Sequence, residues 1–282
     1  MRIGLSTCSK KIDDALFRAY RDAGISIMEI AAAMEVYKSL DFDRLRDLSQ
    51  QYGITLWSFH LPFSPFEQID ISRPELSAQT VDYYETLIQK ASAIGIRYFI
   101  VHPSGEPIEE ADRPARIACA KKSLAQLANI AAKYGAVIAV ENLPRTCLGR
   151  DSSDMLELLS AHPALKACFD TNHLLGEDPM EFVQKVGKHF ITMHVSDYDF
   201  LNERHWLPGE GKLDWQSLLA VLREVGYDGP WLYEISFTAP ASIHRPRDLN
   251  CEDFAQNARE LFSGDPLTVT GTPAEGLTGW RK

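Results

Sequence analysis

Eight short apolar runs, separated by amphipathic stretches, recur along the chain, and this alternation constrains the fold more than any other feature. The runs are IGLST (3–7), ISIMEI (25–30), ITLWSFH (54–60), IRYFIVH (96–102), AVIAVE (136–141), LKACFD (165–170), FITMHV (190–195) and WLYEIS (231–236). Each is brief and mostly β-branched or aromatic, as strands covered on both faces require. Helical periodicity fills the intervals at 13–23, 41–52, 74–94, 116–134, 153–161, 179–186, 215–225 and 252–262. A-G-I, Y-G-I, I-G-I and Y-G-A place a glycine between helix and strand, where it ends the helix. Eight parallel strands with right-handed crossovers close most simply into a barrel. The expected fold is α/β: a single (β/α)8 TIM barrel over residues 1–262 with a short irregular C-terminal tail at 263–282. The alternative, a doubly wound open sheet, would be supported by a G-x-G-x-x-G after the first strand, which the chain lacks. The Gly-, Thr- and Pro-rich tail is expected to wrap the surface or reach a neighbouring subunit, with Trp280 as anchor; local disorder is the alternative.

Composition excludes several function classes. With 45% hydrophobic and 24% charged residues the chain has the make-up of a soluble globular protein with a large core. No apolar run approaches membrane-spanning length, and the opening MRIGLSTCSK has no apolar signal core. Five cysteines without a C-x-x-C pair read as reduced thiols, so a cytoplasmic location is expected. A net charge of −10 argues against a nucleic-acid footprint.

Polar residues at strand ends carry the chemistry. In such a barrel the catalytic face lies at the carboxyl ends of the strands. His60, His102, Glu141, Asp170 and His194 end successive apolar runs, and Glu234 comes late in the eighth. Glu141, Asp170, His194 and Glu234 offer three carboxylates and one imidazole, a donor set suited to a divalent Mn, Co, Zn or Mg ion. In CFDTNH, His173 follows Asp170 by three residues and should face the same mouth, as a partner of a ligand or a donor to substrate.

VHPSG (101–105), VENLPRT (140–146), CFDTNH (168–173), MHVSDYD (193–199), ERHWLPGEGKLDW (203–215) and LYEIS (232–236) together resemble the xylose isomerase-like TIM barrel superfamily of sugar phosphate isomerases/epimerases and endonuclease IV. The resemblance covers about residues 1–262. From the sugar epimerase branch it implies one ion held by Glu141, Asp170, His194 and Glu234, with Glu141 and Glu234 as catalytic acid and base. The activity so implied is isomerisation or epimerisation of a small sugar or sugar derivative, phosphorylated or not, by proton transfer through a metal-stabilised enediolate. His60, His102, His173, Arg204 and His205 are then the substrate-binding candidates.

The endonuclease IV branch implies more ions, with His60, His102, His173, Glu203 and His205 as candidate additional ligands. Here Glu203 departs from that branch, which has aspartate at the matching place. No basic cluster interleaved with aromatics follows His60, so no nucleic-acid partner is expected and an endonuclease IV-like phosphodiesterase is the lesser reading. A metal-assisted dehydratase of a keto-sugar or inosose and a non-catalytic sugar-binding barrel are further alternatives. Analogy with such barrels allows a homo-oligomer. Arg145 and Arg204 would bind substrate oxygens or pair with an acid such as Glu203 or Asp197. Trp57, Phe59, Phe63, Phe66 and Trp206 are the aromatics that would wall a sugar pocket. Cys8 and Cys147 are expected to be bystanders. Asp214 should cap the helix that follows it.

Overall fold

The computed structural model describes residues 1–63 and 68–280. Its eight barrel strands are β1 (Ile3–Ser6), β2 (Ile27–Ile30), β3 (Thr55–His60), β4 (Tyr98–Val101), β5 (Val137–Glu141), β6 (Lys166–Asp170), β7 (Phe190–His194) and β8 (Trp231–Tyr233). Every one falls inside an apolar run of the sequence. From β1 to β7 each strand pairs in parallel with the next, and β1 also pairs in parallel with β8. The ring closes between β7 and β8 through one bridge, Val195 to Tyr233. There Val195 N donates to the Leu232 carbonyl at 2.8 Å and Glu234 N donates to the Val195 carbonyl at 3.3 Å. The protein is an α/β TIM barrel.

Nine α-helices are described: α1 (Asp14–Asp22), α2 (Met34–Ser39), α3 (Phe42–Tyr52), α4 (Pro74–Ala93), α5 (Arg113–Lys133), α6 (Ser152–Leu159), α7 (Pro179–Val186), α8 (Trp215–Glu224) and α9 (Cys251–Ser263). Asp13, Asp41, Asp151, Asp178, Asp214 and Asn250 cap six of them, each side chain accepting from a first-turn amide. The expected cap at Asp214 is among them. The four glycines between helix and strand adopt the left-handed region, with φ of 78° at Gly24, 67° at Gly53, 100° at Gly95 and 63° at Gly135.

One helix differs from expectation, and the tail takes one of the two courses expected of it. The short α2 was not visible as periodicity, because six residues make fewer than two turns. The described part of the tail lies on the chain's own barrel, with no neighbouring subunit needed to seat it. Strand β10 (Thr272–Pro273) pairs antiparallel with β9 (Ile243–His244), and Trp280 N donates to the Leu201 carbonyl at 3.1 Å.

The barrel is packed in two shells. Outward-facing Phe59, Phe99, Val101, Val140, Phe169 and Met193 join the main core beneath the helices. Inward-facing Ile100, Ala139 and Cys168 form a separate buried cluster with Ile191 against it. Side chains alternate along a strand, so the residues two beyond Ile100, Ala139 and Cys168 also face the axis. Those residues are His102, Glu141 and Asp170.

Candidate metal and active site

Glu141, Asp170, His194 and Glu234 present donor atoms that all lie within 4.8 Å of one another. Each comes from a different strand end, β5 through β8, so the shared face of the barrel brings them together. His194 Nδ1 lies 3.0 Å from Glu141 Oε1, 3.2 Å from Glu234 Oε2 and 3.8 Å from Asp170 Oδ2. Glu141, Asp170 and His194 are fully buried, while Glu234 is partly open to the cavity.

Within this cluster Asp170 is the member that protein groups compensate least. Asp170 Oδ2 is buried and accepts no hydrogen bond. Burial raises the Asp170 pKa to about 6, with Glu141 and Glu234 adding to the rise and His173 and His194 opposing it. Burial also opposes charge on His194, but the surrounding acids outweigh it and raise its pKa well above the ordinary imidazole value. Three acids around one imidazole, with an unpartnered oxygen in their midst, fit a divalent cation at ligand distances of about 2.1 Å. The donor types suit a hard or borderline ion.

Outer contacts aim these donors. His194 Nε2 lies 3.1 Å from Glu29 Oε2, and the Ser58 hydroxyl donates to the same oxygen at 2.7 Å. Glu29 is completely buried on β2. A carboxylate on Nε2 fixes the ring with Nδ1 turned toward the cluster, where its lone pair would be given to a bound cation once the proton leaves. Asn142 ties β5 to β6: its Oδ1 accepts from Asp170 N at 2.7 Å and its Nδ2 donates to the Asp170 carbonyl at 2.9 Å. Asn172 N donates to Asp170 Oδ1 at 2.7 Å, and Asn172 Oδ1 accepts from Arg204 N at 2.8 Å. Sequence reading missed all three residues. Glu29 alone left a signal there, an acid inside the apolar run ISIMEI.

The remaining candidates line the mouth. His60 and His102 both place Nε2 on Glu141 Oε2, at 3.1 and 3.2 Å. His60 Nδ1 meets the Leu61 carbonyl at 2.9 Å, which fixes its ring. Burial opposes charge on His60, yet the bond to Glu141 prevails and lifts its pKa to about 9. His173 Nδ1 meets the Asn142 carbonyl at 2.8 Å, and its Nε2 lies 3.0 Å from Glu203 Oε1. His173, Glu203 and His205 form a second group of clustered donor atoms. Arg145 holds Glu203 from outside and meets Glu106 through Nε at 3.0 Å. Glu106, Glu203 and Asn202 together engage all three guanidinium nitrogens of Arg145.

Arg204, expected to bind substrate, lines the cavity and spends its fork on protein groups. Its Nε donates to Asp199 at 2.9 Å and its Nη2 to the Thr278 carbonyl at 2.9 Å. Its partner is Asp199, not the Glu203 or Asp197 considered from sequence, because the chain turns at Phe200 and brings Asp199 back alongside.

These residues surround a cavity of about 610 Å³, which reaches His60, Glu141, His173, Glu203, His205 and Glu234. Of the aromatics singled out, Phe63 lines it, stacked on His102 at 3.8 Å between ring centroids. Phe59 instead packs outward on Tyr37 and Phe99, Trp57 packs on Tyr98, and Trp206 is buried with Nε1 on Ser242. Phe66 lies outside the described residues. Cys8 and Cys147 reach the cavity wall, and burial raises both thiols, Cys147 to about 12. Among the described residues, no helix is long and apolar enough to cross a membrane.

Comparison with known proteins places the chain in a family. The chain is 28% identical over 194 residues to an uncharacterised protein of Methanocaldococcus jannaschii, a match spanning 66% of each chain. It is 24% identical to the D-psicose 3-epimerase of Enterocloster bolteae, over 75% of this chain and 72% of that one. A solved D-tagatose 3-epimerase-like protein superposes with a TM-score of 0.78 at 21% identity, covering 93% of this chain and 97% of the other. The profile described as Xylose isomerase-like TIM barrel matches residues 17–252, and the chain belongs to that family.

Proposed function

We propose that this protein is a divalent-metal-dependent sugar isomerase or epimerase, and that its reaction is epimerisation beside a ketose carbonyl. The observation that carries this is the quartet of Glu141, Asp170, His194 and Glu234 around the unpartnered Asp170 Oδ2. The similarity to a D-psicose 3-epimerase supports the ketose. All four residues would hold the ion. A bound divalent ion supplies Lewis-acid polarisation of a carbonyl and its neighbouring hydroxyl, which acidifies the adjacent C–H. Glu141 and Glu234 then hold or move the proton: one carboxylate removes it from carbon and the other returns it. His173 and His205 orient substrate oxygens from the rim. The apolar wall at Phe63 excludes water and packs on a sugar C–H face.

Incubation with Mn²⁺ and a ketohexose panel in D₂O tests this. One deuteron should enter at the carbon beside the carbonyl, with the C-3 epimer as product and no loss of water by mass. Glu141→Gln and Glu234→Gln should each lower kcat by about 10²–10⁴-fold, the usual contribution of acid–base catalysis. A quartet that binds the ion while no ketose exchanges its proton would end this reading.

The second donor group, His173–Glu203–His205, together with the His60 and His102 contacts on Glu141, favours a second reading: a multi-ion phosphodiesterase. Metal-dependent cleavage of duplex DNA at an abasic site would select it.

A further inference from the structure

The C-terminal tail does more than cover the barrel. After β7 the chain pairs Asp197 with Trp206, through Asp197 N to the Trp206 carbonyl at 2.7 Å and Trp206 N to the Asp197 carbonyl at 3.0 Å. The residues between, 198–205, form a closed excursion at the cavity rim, and its returning limb carries Glu203 and His205. Phe200 and His205 both have positive φ, 64° and 52°. Side chains disfavour that region, so such a shape persists only where surrounding contacts enforce it.

Those contacts come from two sides. On the inner side, Asn172 Oδ1 accepts from Arg204 N at 2.8 Å. On the outer side stands the tail. Trp280 N donates to the Leu201 carbonyl, and the Thr278 carbonyl accepts from Arg204 Nη2. Arg204 Nε in turn holds Asp199, whose Oδ1 accepts from Leu201 N at 2.9 Å and closes the turn. At the excursion's exit, Thr270 Oγ1 donates to Glu210 Oε1 at 2.7 Å, and Glu210 pairs with the buried Arg245. The fit there leaves no slack. A Cβ on Gly271 would stand 2.6 Å from Ile243 Cδ1 and 2.7 Å from Glu210 Oε1, and one on Gly209 would stand 2.9 Å from Leu267.

We propose that residues 267–280 are a strap that holds the 198–205 excursion so that Glu203 and His205 face the cavity, with Arg204 as the positioning residue that joins strap to loop. The inference rests on the proposed function only in treating Glu203 and His205 as part of the working site. It assigns Arg204 a contact with the tail in place of a contact with substrate.

Two full-length variants test it. Arg204→Gln cuts the link from the loop side. Gly271→Val pushes the strap off Ile243 and Glu210 without changing a residue of the cavity wall. Amide hydrogen exchange at 198–206 should accelerate at least about tenfold in both, while exchange in β7 stays within about twofold. Affinity for a first Mn²⁺ should stay within about threefold, because among the described residues no hydrogen bond or ion pair joins the tail to the quartet. Arg204→Lys, which keeps the charge beside Asp199, should recover part of the protection. Unchanged exchange at 198–206 in both variants would overturn the proposal. So would equal acceleration in β7, which would make the tail a general stabiliser. Neither readout depends on a substrate, so failure of the proposed reaction would leave this result standing, and the reverse also holds.

Discussion

Glu29 shows how one side chain can set the behaviour of another. It sits fully buried on β2, with Ser58 and His194 as hydrogen-bonding partners. A buried carboxylate is costly unless paired, so its place is explained only by what it does to His194. With Nε2 committed to Glu29, Nδ1 is the nitrogen turned to the cluster, against Glu141 and Glu234. Glu29→Gln keeps the shape and removes the charge. It should weaken Mn²⁺ binding by about 10–100-fold, the usual range for losing an outer-shell partner of a metal-bound histidine. Calorimetric titration of the metal checks this, and an affinity equal to the parent protein's would remove Glu29 from the site. The sequence showed the acid but not its partner, since Glu29 and His194 are 165 residues apart. Only closure of the barrel makes them neighbours. Asn142 and Asn172 were harder still to see. Amides beside ligands look like ordinary loop residues until their backbone contacts are known.

Elements were far more legible than these contacts. The strands show as apolar runs because both their faces are covered, and helices such as α1 and α3 show because one stripe is buried. Glycine marks the joins for a physical reason that can be measured. Gly53 ends α3 at φ 67°, and a Cβ built on it would meet nothing within 4 Å. Gly53→Ala should therefore lose only the backbone preference, about 1–2 kcal/mol, with no steric addition. Urea unfolding should read that loss, and a neutral result would mean that the helix end relaxes to another cap. Gly4 in β1 is the opposite case. Its φ is ordinary, but a Cβ would stand 3.0 Å from Ile27 Cγ2 inside the barrel. What periodicity could not supply was the tail. Its Gly- and Thr-rich run has no repeat, and the contacts that order it are single hydrogen bonds to loops distant in sequence. Arg204 shows the same limit: its fork meets Asp199 across a local turn and Thr278 through the tail's path, and only the first lies within reach of a sequence pattern.

At the scale of the whole molecule, the quartet lies across the least secured part of the ring. Neighbouring strands elsewhere share several register pairs, whereas β7 and β8 meet at the single bridge Val195–Tyr233. His194 and Glu234 lie on either side of that seam, with Glu141 and Asp170 on the next two strands. An ion held by all four would staple β5 to β8, stabilising the fold by about 2.7 kcal/mol at a hundredfold excess over its dissociation constant. The dependence on pH follows from the imidazoles. In the metal-free protein the pKa of His60 is raised to about 9 and that of His173 to about 10, and that of His194 is raised as well. A group whose folded pKa exceeds its unfolded value of about 6.5 stabilises fully below that value and loses its contribution as pH climbs through the folded one. The metal-free protein should therefore lose melting temperature between about pH 6.5 and 10. Metal binding requires a neutral His194 Nδ1, so it must displace a proton, and affinity should rise across the same window. Melting curves with and without Mn²⁺ should diverge as pH increases, and titrations in buffers of different ionisation heat should report proton release. Parallel curves from pH 6.5 to 9 would mean that the acids carry no imidazolium partners, and that the charge cluster is resolved in some other way than by exchange of protons for a cation.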